Sequence, residues 1–304
     1  MRQGMRGDAG EWRLGPGVLA VCVALLAGCA APRFADRARL TEEWPSPSGR
    51  YRIEYAPRNA ADVPRVQHAM DEALPRLERW GTPREPIVVR MMPTHASLEA
   101  AARQRGMGWL RAWSRYDEVL LQTPSTWGLA SASPAQLTEL LLHELTHTLM
   151  YQLAADRLGW TRKHIPLWFR EGMASYTAEQ GYRWVSLEEI ARYLERNPGA
   201  DPLHAPDALY RDESNLVYGM AHHAFAFLVR RYGEERVREV LGEMRGGPAF
   251  AEAFERAVGL SEEAFTRDFT HYVRWRGFRG GRLPPREARP PGDLPGTSGE
   301  PEPP

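Results

Sequence analysis

The stretch from Ser133 to Gly159 constrains the rest of the chain most, because it carries a helix start signal, an apolar stripe and a stop signal in order. Ser133 can cap a helix, Pro134 suits the first helical position and Gln136 can complete a capping box. Leu137, Leu140, Leu141, Leu145, Thr148 and Leu149 then follow helical spacing. With Gly159 as a natural stop, the helix is expected to run from Pro134 to Leu158.

Inside it lies His143-Glu144-Leu145-Thr146-His147. Residues four apart share a helical face, about 6 Å apart along the axis. Two imidazoles so placed can converge on one Zn2+, the ion that imidazole plus carboxylate suits. Glu144 sits one step from His143 and need not be a ligand; it can act as general base toward a water that the metal activates.

Catalytic zinc usually has three protein ligands and an open position. Pro166 can open a second helix, and Glu171 falls on its first turns. Trp168, Phe169, Met173 and Ala174 surround it in sequence, which predicts burial, and a buried carboxylate needs a partner or a metal. His164, between the two helices, is the alternative third ligand. A later helix is expected over Asn215 to Arg231, with Tyr218, Ala221, His222, Phe225 and Val229 on one face and His223 pointing elsewhere.

Upstream, Arg52 to Tyr55 and Ile87 to Met91 read as strands. Leu110 to Tyr116 and Glu118 to Thr123 read as a strand pair, the second able to line a cleft and pair with an extended peptide. Val63 to Trp80, with a kink expected at Pro75, and Leu98 to Arg105 read as helices. Strands first and helices later predict an α+β domain: a small N-terminal mixed sheet followed by a mainly helical part that holds the motif helix.

The ends read differently. A basic start and the apolar run Val18 to Leu26, too short to span a bilayer, fit a secretory signal over residues 1–28. The run ends in Leu26-Ala27-Gly28-Cys29, which resembles the bacterial lipobox. That resemblance implies cleavage before Cys29, lipid on that cysteine and a membrane tether outside the cytoplasm; Ala30 after it implies the outer membrane, facing the periplasm. Cys22 would leave with the signal, so the mature chain could form no internal disulfide. Residues 29–49 read as a tether, 50–278 as the globular domain, and 279–304, rich in Pro and Gly, as a tail unable to bury a core. Basic and acidic residues balance at 39 each, so no net field points to nucleic acid.

The motif His143 to His147 together with Trp168-Phe169-Arg170-Glu171-Gly172-Met173-Ala174-Ser175-Tyr176 resembles the gluzincin metallopeptidases, with the Trp-x-x-Glu-Gly-x-Ala pattern of the aminopeptidase N-type group. The resemblance implies His143, His147 and Glu171 as zinc ligands, Glu144 as general base, and a Tyr or His from a later helix as oxyanion donor, here Tyr218 or His222. The gap from His147 to Glu171 is longer than in the aminopeptidases, and no Gly-x-Met-Glu-Asn stretch precedes the motif helix, so the chain is most similar to small stand-alone bacterial gluzincin-like domains. The expected activity is zinc-dependent hydrolysis of peptide bonds in a peptide or protein substrate. The alternatives are a non-catalytic zinc-containing assembly module of the cell envelope and a hydrolase of a non-peptide amide.

Overall fold

The computed structural model describes residues 40–128, 132–210 and 213–278. Residues 1–28, read as a signal, Cys29 and residues 279–304, read as a tail, lie outside these residues.

Five strands form one mixed sheet: β1 (Glu42–Pro45), β2 (Tyr51–Tyr55), β3 (Ile87–Met92), β4 (Ala112–Ser114) and β5 (Glu118–Gln122), in the order β1-β2-β3-β5-β4. β2, β3 and β5 are parallel, and the two outer pairings, β1 with β2 and β4 with β5, are antiparallel. β3 reads as a continuous apolar run because it is central; Ile87, Val88, Val89, Met91 and Met92 are all buried.

Two expectations change here. The segment 29–49, read as a tether, contributes β1: its mostly exposed residues carry no apolar periodicity, and backbone pairing with β2 is what makes it a strand. Glu118 to Thr123, expected to offer an edge, lies between β3 and β4; the chain folds back so that β4 takes the open edge.

The helices are α1 (Val63–Leu77), α2 (His95–Ala102), α3 (Pro134–Ala154), α4 (Leu167–Thr177), α5 (Leu187–Arg196), α6 (Ser214–Tyr232), α7 (Glu234–Arg245), α8 (Phe250–Val258) and α9 (Glu262–Phe278), with a short helix at Asp207–Tyr210 between α5 and α6. α1 ends two residues after Pro75, so the proline closes the helix instead of kinking a longer one. α2 starts earlier than its apolar residues suggest, because Thr94 and Ser97 form a capping box, and it stops where Arg103 turns left-handed at φ 59°.

α3 is the centre of the domain. Its capping box forms as expected: Ser133 Oγ accepts from the Gln136 backbone N–H at 3.2 Å, and Gln136 Oε1 accepts from the Ser133 backbone N–H at 2.9 Å. Every residue from Leu140 to Gln152 is buried, polar ones included. α1, α4 and α7 pack around it, and β4 lies against it. It ends at Ala154, short of Leu158. Arg245 from α7 donates to the carbonyls of Gln152 and Ala155 at 3.1 and 2.6 Å, satisfying groups that another helical turn would have used.

Candidate metal centre

The periodicity that buries the leucines of α3 also turns His143 and His147 together toward α4. Their Nε2 atoms lie 3.2 Å apart. Glu171 on α4 completes a triangle, with Oε2 3.4 Å from His143 Nε2 and Oε1 3.6 Å from His147 Nε2. Among the described residues this is the cluster of His, Cys, Asp and Glu side chains whose ligand atoms converge. The exposures of His143, His147 and Glu171 are 1, 3 and 3 %.

The spacing fits a metal ion. A tetrahedral ion with bonds of about 2.0–2.1 Å holds its donors about 3.3–3.4 Å apart, which is the size of this triangle. Glu171 Oε2 is buried and takes no hydrogen bond in the chain, an arrangement that calls for a cation. In the protein alone, burial works to lower the His143 pKa, but the Glu171 carboxylate outweighs it and the imidazole is raised. His147 is driven well below its ordinary value by burial, then by the charges of His143 and Arg170.

α4 reaches this position through its glycine. A Cβ on Gly172 would overlap the carbonyl oxygen of Ala221 and come within 2.6 Å of Phe225 Cβ on α6. The missing side chain lets α4 and α6 approach closely right beside Glu171. Trp168, one turn earlier, is buried among Phe250, Phe254 and Phe265 and donates its indole N–H to Glu262 at 2.6 Å.

Glu144 is fully buried and stands apart from the triangle. Its Oε2 accepts from the Ser114 hydroxyl at 2.5 Å, and the same hydroxyl lies 2.8 Å from the Glu144 backbone carbonyl. Ser114 belongs to β4. Arg111 and Arg115 make their backbone bonds to β5, so by alternation the N–H and C=O groups of Ala112 and Ser114 face away from β5, and both residues are buried.

Tyr218 and His222 lie on the part of α6 that crosses α4. Tyr218 is buried and stacks on Trp184 with ring centroids 5.2 Å apart. His222 Nδ1 lies 2.6 Å from Ser175 Oγ, and Ser175 is one turn beyond Glu171 on α4. Trp184 donates its indole N–H to the same oxygen at 3.1 Å. His223 points away, to the Val185 carbonyl at 2.9 Å. His164, the alternative ligand, is exposed at φ 50° in the turn before α4 and is not part of the triangle.

Sequence reasoning had no route to two residues of this centre. Ser114 sits in a three-residue strand, and Gln180, whose Oε1 lies 2.9 Å from His143 Nδ1, sits in a short 3-10 helix, Gln180–Arg183. Neither has a motif, and only tertiary packing brings them to the histidine helix. Compared with known proteins, the chain matches no curated protein, but residues 120–275, from β5 through nearly all of α9, match the Peptidase MA superfamily. That span contains the motif helix, all three members of the triangle and the helices that hold them, and covers more than half of the sequence. The paired histidines and the carboxylate form a buried cluster able to bind a metal ion, in keeping with a peptidase-like hydrolase, and the chain belongs to the Peptidase MA superfamily.

Proposed function

We propose that the chain is a zinc-dependent metallopeptidase of the cell envelope. The observation that carries this reading is the separation of roles around α3: three side chains form a tetrahedral-sized triangle, while a second carboxylate, Glu144, is held next to it by a different partner. A purely structural zinc site would usually close with a fourth protein ligand.

In this reading His143, His147 and Glu171 hold the ion, and zinc, when bound, polarises the scissile carbonyl and makes water acidic. Glu144 takes the proton as the water oxygen bonds to the carbonyl carbon, then delivers it to the departing nitrogen as the C–N bond breaks. Ser114 keeps the accepting carboxylate in place. An extended substrate is assigned to the outer edge of β4, where the backbone groups of Ala112 and Ser114, both buried, would first have to be uncovered. His222 and Tyr218 are the donors proposed for the oxyanion.

The envelope location rests on Leu26-Ala27-Gly28-Cys29, with lipid on Cys29 as the tether. No helix among the described residues is long and apolar enough to cross a membrane.

The decisive experiment compares zinc-loaded wild type with Glu144→Gln on a mixed peptide library. The variant should hold zinc and lose about 10²–10⁴ in rate. Equal cleavage by both proteins would sink the mechanism.

A further inference from the structure

We propose that Gln180 is a positioning residue for the metal centre: its side-chain oxygen holds the His143 ring in the tautomer and plane that present Nε2 to the ion. This rests on the metal-site reading above and deepens it.

The geometry sets the problem. His143 Nε2 faces His147 Nε2 and Glu171 at 3.2 and 3.4 Å, so it is the ligating nitrogen. A neutral imidazole that ligates through one nitrogen carries its proton on the other. That proton needs a buried acceptor, and Gln180 Oε1 stands 2.9 Å from Nδ1. Gln180 is itself buried. A side-chain amide has two faces. With the oxygen toward Nδ1, the ring keeps Nε2 open for the ion. With the amide turned over, its N–H would donate to Nδ1 and force the ring proton onto Nε2, against His147 and the ion. The orientation of one amide therefore decides whether His143 can bind metal.

The surroundings fix that amide's backbone. Glu179 at φ 57° turns the chain into the short helix that carries Gln180. Two residues on, Tyr182 donates its hydroxyl to Glu139 Oε2 at 2.7 Å, and Arg183 Nε lies 2.8 Å from Glu139 Oε1. Glu139 is one turn before His143 on α3, so the strap grips the same helix at two successive turns. Trp184 ties the far end to Ser175, one turn beyond Glu171 on α4. Between these grips lies Gly181, where a Cβ would come within 2.8 Å of His222 Nε2, so the strap lies flush against α6. Both helices that supply the triangle are thus referenced to one five-residue segment, Gln180 to Trp184, and Gln180 is the member that reaches a ligand.

The test uses full-length protein and zinc, with affinity measured by competition with a chromophoric chelator. Gln180→Leu keeps the bulk and removes the acceptor. Gln180→Glu keeps the acceptor and cannot turn over. The expected result is zinc affinity about 10–100-fold weaker in Gln180→Leu and near wild type in Gln180→Glu, with the same melting temperature for all three proteins after chelation. Zinc bound as tightly by Gln180→Leu as by wild type overturns the proposal and leaves the metal centre standing. Equal weakening in both variants, matched by equal melting losses in the chelated proteins, also overturns it, since Gln180 would then be a packing residue. Wild type that binds no zinc takes down the metal centre and this inference together, and is recognised from the wild-type titration alone.

Discussion

The Ser114 hydroxyl, on a sheet edge, lies 2.5 Å from Glu144 Oε2, on the central helix, so the strand that would line a substrate also holds the carboxylate that would act on it. Ser114→Ala removes a hydrogen bond to a charged group, worth about 1.5–3 kcal/mol. Turnover should fall by about ten- to a hundredfold, with zinc content unchanged, and Ser114→Thr should recover part of the loss. Zinc analysis beside peptide turnover checks this; full activity in the alanine variant would reduce Ser114 to a packing role.

The ligand triangle predicts how metal and stability are linked. His143→Ala and His147→Ala should each abolish equimolar zinc binding, measured by elemental analysis of purified protein. Chelation of wild type should lower its melting temperature, because an ion that binds only the folded state stabilises it by mass action. Helical circular dichroism should survive chelation, since α3 is held by its leucines and by α1, α4 and α7 as well as by the site. Collapse of the helical signal on chelation would show that the ion builds the fold.

Gly172→Ala should be costly although it adds one methyl group. The new atom has nowhere to go between Ala221 and Phe225, and overpacking of this kind costs about 1–3 kcal/mol. Because Glu171 is the next residue, zinc affinity should fall too. Chemical denaturation and a zinc titration measure both; a variant as stable as wild type would mean that α4 and α6 can separate freely.

Much of this centre was legible before any coordinates, and the limits have physical causes. The helix carrying His143 and His147 declared itself because its caps and its leucine spacing are local. Glu171 followed from apolar neighbours that could only belong inside. The helix end did not, because the group that terminates it, Arg245, lies far along the chain. The interior position of β5 was hidden for the same reason: a strand's sequence shows which faces are buried but not which edges are paired. β1 gave no signal at all, since its side chains are mostly exposed and its backbone bonds hold it. Ser114 and Gln180 are ordinary polar residues whose roles exist only across tertiary contacts.

His222 predicts a pH dependence. Burial, and then the nearby His223, lower its pKa from 6.5 to about 4. Between those values the unfolded chain binds the proton and the folded chain does not. Folding stability therefore drops as pH falls from about 6.5 toward 4, and this contribution changes no further below. In chelated protein, His222→Gln should lose less stability than wild type between pH 7.5 and 5, by denaturant unfolding at each pH. Parallel losses in the two proteins would mean that His222 titrates normally.

The tether is tested by Cys29→Ser. Wild-type protein made in a bacterial host should partition into detergent and gain the mass of its acyl chains, while the variant should do neither. Wild type without added mass would refute lipid anchoring.

The burial of α3 on every side has a consequence for how the site behaves between turnovers. Backbone amides at the centre of such a buried helix are expected to exchange with solvent only through large openings of the domain, which would put the histidine-bearing turns in its slow-opening part. The two imidazoles are carried by the element least able to rearrange. An ion entering the triangle would meet donors already assembled on a packed helix, a preorganised receptor with little left to order.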